Sequence, residues 1–442
     1  MQHVFFVSAV RLTSAVLLCA ASAVTLAQTS GPSVPQTYRF TNLGTLGGFE
    51  SVATGVNDRG EVSGFSTSGE SLATRGALWQ GRSLTDLGIG IAFGINDHTV
   101  VVGDRTLATA WVSTRPVTLQ DFSGGFRSAA LAISDAGQIA GYSWLPDRTH
   151  MHASLWPSIS SPAIDLGPVR GVDSIAAAIN NRGQAAGSWT TADGFNHAAL
   201  WTDGVGVDLS LPGELRSFAS GLNDDGIAVG ASLFLDDGHF HATVWNGASV
   251  EVLNDTGHAS SFAQDINNQG WIVGSVGDDR FGTGRATLWH DGIAIDLNTR
   301  LRPGTVQAGW VLDTAVAIND HGWIVGAAHN DNLGIARQAY LLSISEEPDQ
   351  FLHPMQPTLI PEPETCSLML VGLALLGWHR ARAWRCSGPV SSGSSEGDVH
   401  AWFMDSRRAR GAVTPAVAGP GPAQLAKKPF VPVRRCHRRR ET

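Results

Sequence analysis

Two pairs of chemically capable residues recur along this chain. Histidine before alanine occurs at His152-Ala153, His197-Ala198 and His241-Ala242, and aspartate before leucine at Asp86-Leu87, Asp165-Leu166, Asp208-Leu209 and Asp296-Leu297. Imidazole and carboxylate are the groups of general acid–base catalysis. A catalytic centre, however, draws on one asymmetric set, not on a set copied along the chain. Repetition therefore points to packing, with these side chains satisfying backbone groups or neighbouring units, and His197 reads as a packing histidine, not a ligand. The sequence has no zinc-ligand spacing, Gly-rich phosphate loop or Gly-x-Ser-x-Gly elbow. Asp224-Asp225-Gly226 and Asp236-Asp237-Gly238 lack the alternating carboxylates of a calcium loop and read as solvated acidic turns. No catalytic set, metal or cofactor is expected.

The elements that must position these residues form a repeat. Its anchors are Asn57, Asn96, Ser134, Asn180, Asn223, Asn267 and Asn319, spaced by 39, 38, 46, 43, 44 and 52 residues. Each anchor has Ala four residues before it and Gly seven after it, and six of the seven have Gly three after it. The second unit, Asn96-Asp97-His98-Thr99, is the exception. An Asn that caps its own turn, followed by a Gly that accepts positive φ, folds two flanking apolar runs into a hairpin. A third strand follows, ending in an aromatic at Trp79, Trp111, Trp156, Trp201, Trp245, Trp289 or Tyr340, and a fourth ends in Asp-Leu or a relative. Four short strands per unit of about 44 residues fall in the range of propeller blades.

This set resembles the HAF-family extracellular repeat, named for a His-Ala-Phe triplet in the third strand and flanked by Leu-Gly-Thr-Leu-Gly-Gly. Here Leu43 to Gly48 carries that stretch in full, while no triplet keeps its Phe. The resemblance covers about residues 38 to 345 and implies an extracellular address and a repeat architecture, not a reaction. The expected fold is all-β, a seven-bladed β-propeller over residues 38–345. The last unit has no Asp-Leu strand after Leu342, and Tyr38 to Leu43 precedes the first anchor with no third strand before it. The N-terminal strand is thus expected to complete the seventh blade and remove both sheet edges.

Departures from the repeat give the candidate binding residues. Trp271 and Trp323 stand four positions after their anchors, where other units have Glu61, Gln138 or Gln184, and Asp265 stands where the rest have Gly or Ala. Aromatic rings beside a carboxylate could stack on a sugar; the alternative is that they fill the seams between units. Two classes of function follow. One is a non-enzymatic surface or matrix protein that binds polysaccharide or protein. The other is a propeller glycosidase or lectin, the glycosidase needing one pair of carboxylates about 5 to 9.5 Å apart. No unrepeated pair stands out in the sequence, which favours the first.

The two ends differ from the body. Residues 28–378 hold 35 Asp and Glu against 16 Arg and no Lys, whereas residues 379–442 hold 13 Arg and Lys against 4 acids. An acidic body is a poor partner for nucleic acid. Arg11, the uncharged run Leu12 to Leu26 and the small residues ending at Ala27 have the form of a signal peptide over 1–27, cleaved between Ala27 and Gln28 or after Ala23, with signal peptidase as the processing enzyme. After linkers at 28–37 and 346–360, Pro361-Glu362-Pro363, an apolar run and Arg380, Arg382 and Arg385 resemble the PEP-CTERM sorting signal over 361–385. That resemblance implies export from a Gram-negative bacterium, transient anchoring in the inner membrane through residues 366–384, and transfer by an exosortase to the cell surface or beyond. Residues 386–442, rich in Gly, Pro, Ser and Arg, read as a basic disordered tail or as a reading-frame artefact. Cys19, Cys366, Cys386 and Cys436 leave the body without a disulfide framework.

Overall fold

The computed structural model divides the chain into two units, Met1–Gln350 and Phe351–Thr442. It describes residues 34–344 except 70–72, 123, 125 and 279–283, all within the first unit. The expected signal peptide with its Ala27–Gln28 bond, the sorting segment with Pro361, Glu362, Pro363, Arg380, Arg382 and Arg385, and the basic tail lie outside the described residues.

The described chain is all-β, with helix confined to Leu297–Arg300, Pro303–Gln307 and Asp331–Leu333. Each anchor marks one unit of antiparallel strands. Unit 4 is representative: Asp173–Ile179, Ala185–Thr190, Asn196–Thr202 and Val205–Asp208 pair in that order, and units 2, 3, 5 and 6 form separate four-stranded sheets of the same kind. In unit 7, Trp310–Ile318, Ile324–Asn330 and Ile335–Ser343 are followed outward by Arg39–Asn42 from the other end of the chain, paired as Arg39↔Ser343 through Asn42↔Tyr340. A single parallel bridge, Glu50↔Arg337, ties unit 7 to the first strand of unit 1.

The Ala and Gly of the repeat face each other. Ala53↔Gly64, Ala92↔Gly103, Ala130↔Gly141, Ala176↔Gly187, Ala219↔Gly230, Ala263↔Gly274 and Ala315↔Gly326 are cross-strand pairs, each beside a bulge in the first strand. A Cβ on any of these glycines would strike the carbonyl oxygen of the residue before the facing alanine, so a larger residue would push the strands apart. Within the turns, the glycine three after the anchor has positive φ, as at Gly60 (75°) and Gly226 (80°), and Thr99 is held at 59° where unit 2 lacks the glycine.

There is no single core. Apolar clusters lie between successive sheets, such as Ala53, Val62, Ala77 and Trp79 of unit 1 with Ala317, Val325 and Ala339 of unit 7. The six tryptophans that end the third strands are all buried in these seams. Tyr340 is not their seventh member, which corrects the sequence reading. It pairs with Gly326, the register at which unit 1 has Ala77, and its hydroxyl donates to the Thr314 carbonyl. Leu342, opposite Ile324, takes the tryptophan's place.

Candidate functional site

The anchors build a polar feature that passes from unit to unit. Asn57 uses its side-chain oxygen to accept the N–H groups of Arg59 (3.1 Å) and Glu61 (2.9 Å), closing its own turn, and its Nδ2 donates to the carbonyl of Asn96 in the next unit (3.0 Å). The same reach runs from Asn96 to Ser134, Asn180 to Asn223, Asn223 to Asn267 and Asn267 to Asn319, and Asn319 donates to Asn57 at 2.9 Å. Ser134 caps its turn through Oγ but has no amide with which to reach onward.

A second series surrounds the first. The residue after every anchor is Asp or Asn: Asp58, Asp97, Asp135, Asn181, Asp224, Asn268 and Asp320. Each backbone N–H donates to the side-chain Oδ1 of the next, at 2.8 Å from Asp58 to Asp97 and 3.1 Å from Asp320 to Asp58. With anchors such as Asn57, Ser134 and Asn180, these residues line an open funnel to which all seven units contribute. Five carboxylates at its wall make it negative, and burial raises the Asp58 carboxyl above its ordinary value. The sequence reading used these acids only as parts of turns. Their signal was present, since an Asp or Asn follows all seven anchors.

The recurring His and Asp take consistent places. On the third strand a cation faces the aspartate of the fourth: Arg75 Nε to Asp86 (2.7 Å), His152 Nδ1 to Asp165 (3.0 Å) and Arg285 Nε to Asp296 (2.7 Å). The Asp165 bond raises His152 above the ordinary imidazole range. The aspartate's other role is to cap the chain that leaves the strand, with Gly88, Gly167, Ser210 and Asn298 donating N–H to Asp86, Asp165, Asp208 and Asp296. Unit 4 differs: His197 turns to the fully buried side chain of Glu214 in unit 5 (3.3 Å), and Asp208 instead receives Trp189 Nε1 (3.4 Å). Sequence inspection also missed a set of serine staples. Ser51, Ser128, Ser174, Ser217 and Ser261 accept the third-strand N–H of the unit before them, Ser51 doing so for Ala339.

The three candidate ligand residues are not brought together as a platform. Trp271 is 2% exposed and its ring packs over Gly322, the turn glycine of unit 7, so it offers no face to a sugar. Half-buried Trp323 lies in the same way over Gly60 of unit 1. Asp265 spends both oxygens on backbone N–H groups, Ile266 at 2.9 Å and Ile318 of unit 7 at 3.0 Å, and burial pushes its carboxyl up to about 7. Seam filling, the alternative weighed from sequence, describes Trp271, because the position four after an anchor faces the next unit's turn glycine.

Residues 359–383 match the family model of the PEP-CTERM protein-sorting motif. No curated protein matches the chain. Among solved structures, the β-propeller domain of the Trilobed protease from Pyrococcus furiosus, described as having an open velcro topology, is 8% identical, with a TM-score of 0.44 over 69% of this chain and 99% of that one. A puromycin-hydrolyzing peptidase from Mycobacterium tuberculosis is 13% identical, with a TM-score of 0.41 over 66% of this chain and 53% of that one. The chain is thus an all-β protein of repeated four-stranded sheets that carries, near its C-terminal end, the motif of an exosortase-sorted extracellular protein.

Proposed function

We propose that this chain is an exported, non-enzymatic cell-surface or matrix protein whose body is a closed seven-bladed propeller that binds polysaccharide or protein. Signal peptidase and an exosortase process its two ends, and nucleic acid is not a partner. Support for closure comes from the two hydrogen-bond series that pass from unit 7 to unit 1 and from Arg39–Asn42 serving as the fourth strand of unit 7. The observation that carries the binding reading is the engagement of the funnel acids. Each accepts on Oδ1 the backbone N–H of the corresponding residue in the preceding unit, a repeated structural duty unlike the asymmetric pair a glycosidase requires. The HAF-type assignment of the repeat and the membrane helix over residues 366–384 belong to the same proposal.

Export through the C-terminal motif is tested by replacing Pro361, Glu362 and Pro363 with Ala. Full-length protein should then accumulate in the membrane fraction. An unchanged mature size and surface yield would remove sorting through this motif. The runner-up is a propeller glycosidase or lectin; release of reducing ends from extracellular polysaccharide would favour the glycosidase, and sugar binding without such release the lectin.

A further inference from the structure

The end of the sheets opposite the Asn turns carries a feature that the repeat does not explain. By strand order, the turns between second and third strands and the connections into first strands lie at that end. In unit 3, Arg148 of the turn that follows Trp144 places its guanidinium 4.5 Å from the ring centroid of Phe126, which is 39% exposed and meets Trp144 edge-on at 6.0 Å. In the neighbouring units 4 and 5, exposed Arg216 of a first strand lies over Phe195 of the facing turn at 5.2 Å.

Among the described residues neither arginine is paired with an acid. Arg59, Arg75, Arg170, Arg182, Arg285 and Arg337 all pair with carboxylates, as expected where 35 acids surround 16 arginines. Arg148 and Arg216, like Arg105, Arg115, Arg127 and Arg300, form no ion pair among the described residues; what sets these two apart is the aromatic ring beneath each guanidinium. The adjacent acids are turned elsewhere: Asp147 accepts the Thr149 N–H (3.0 Å), and Glu214 is buried against Ser217 and His197. A guanidinium held flat on an aromatic ring keeps its N–H edge open for a carboxylate in bidentate geometry. Unit 3 even accepts a left-handed backbone at Arg148 (φ 61°), a conformation disfavoured for a side chain of this kind.

We propose that these two Arg–Phe stacks, on neighbouring sheets at the end away from the funnel, bind an acidic polysaccharide whose sugar faces pack on the aromatics and whose carboxylates meet the guanidinium edges. This deepens the binding reading given above and rests on it. A peptide of acids would leave the Phe and Trp faces unused.

The test uses the full chain and three probes: polygalacturonate, its fully methyl-esterified form, and polyglutamate. Polygalacturonate should bind, with the ester and polyglutamate weaker by at least about tenfold. The double variant Arg148→Gln with Arg216→Gln should lose at least about tenfold in affinity with an unchanged melting temperature, while Asp97→Asn at the funnel should bind as before. Equal binding of acid and ester, tight binding of polyglutamate, or full affinity in the double variant would each overturn the proposal. Unchanged sugar binding by the double variant would leave the broader binding function standing. Failure to bind any member of a polysaccharide panel would remove this proposal and the polysaccharide part of the broader reading, leaving protein as the partner class.

Discussion

A single asparagine per unit does three tasks: its oxygen closes the turn twice and its amide reaches the next unit's backbone. Serine at position 134 keeps only the first kind of task. Ser134→Asn should therefore add one buried bond to the Asn180 carbonyl and stabilise the body by about 1 kcal/mol, measured by urea unfolding. Asn223→Ala leaves the Asp225 and Ile227 N–H groups without partners and removes one of the two bonds to the Asn267 carbonyl, which keeps the Gly270 N–H, and should cost about 2 to 4 kcal/mol; a change under about 0.5 kcal/mol would show that the series carries no load. The anchors were legible because turn chemistry restricts them to a few residue types. The serine staples were not, since a serine on an apolar strand looks like any small residue until its neighbour is known. Asp265 carries a pH prediction. Its folded carboxyl sits near 7, above the value of the unfolded chain, so its contribution is fully present below about pH 4. The unfolded state then ionises first, and stability falls as pH rises, by on the order of 2 to 4 kcal/mol once pH 7 is passed. Asp265→Asn should flatten that part of the melting profile between pH 4 and 8. Profiles of the same slope for both proteins would show that Asp265 titrates normally.

At the scale of elements, the segment from Arg39 to Gly44 is the most informative, because it carries the fourth-strand signature away from its sheet. Asn42 accepts the Gly44 N–H at 3.0 Å, as Asp86 does for Gly88 and Asp165 for Gly167, and Leu43 donates to the Ala339 carbonyl as Leu166 and Leu209 do to Ala153 and Ala198. Sequence reading expected this strand there because the last unit has no Asp-Leu strand after Leu342 and Tyr38 to Leu43 has no third strand before it. It could not place Tyr340, since an aromatic at nearly the right spacing mimics the tryptophan while lying two residues out of register. The short helices at Leu297–Arg300 and Pro303–Gln307 were missed for a related reason: the 52-residue spacing showed an insertion but not its form. Removing Tyr38 to Leu43 exposes the third strand of unit 7 and empties the space of fully buried Tyr38. At about 1.5 to 3 kcal/mol per large apolar side chain, the loss is a large part of what a domain of this kind has. Protein spanning residues 44–350 should melt well below protein spanning 28–350 and should aggregate. Equal melts and equal monomer content would favour an open stack of units, in which a terminal strand contacts one neighbour only.

Among the described residues, cohesion comes from seams distributed between sheets and from hydrogen bonds passed from unit to unit. Cysteine is missing from residues 20–365, and among the described residues no three His, Cys, Asp or Glu side chains gather as metal ligands. The funnel acids avoid being a destabilising concentration of charge in two ways: each shares an oxygen with a neighbouring N–H, and Asn181 and Asn268 place amides between carboxylates, donating to Asp224 at 3.1 Å from both sides. Charge repulsion that is already met by donors leaves little for a cation to relieve. Melting of the processed body should therefore be the same, within a degree or so, with and without a chelator of divalent ions and with and without reductant. Added salt should raise it, because a body with 35 acids against 16 arginines repels itself and salt screens that repulsion within about 10 Å. A fall of many degrees with chelator would mean that the acidic turns hold calcium in solution, and the funnel would then have to be read as an ion site supported by the units around it, not as their own fastening.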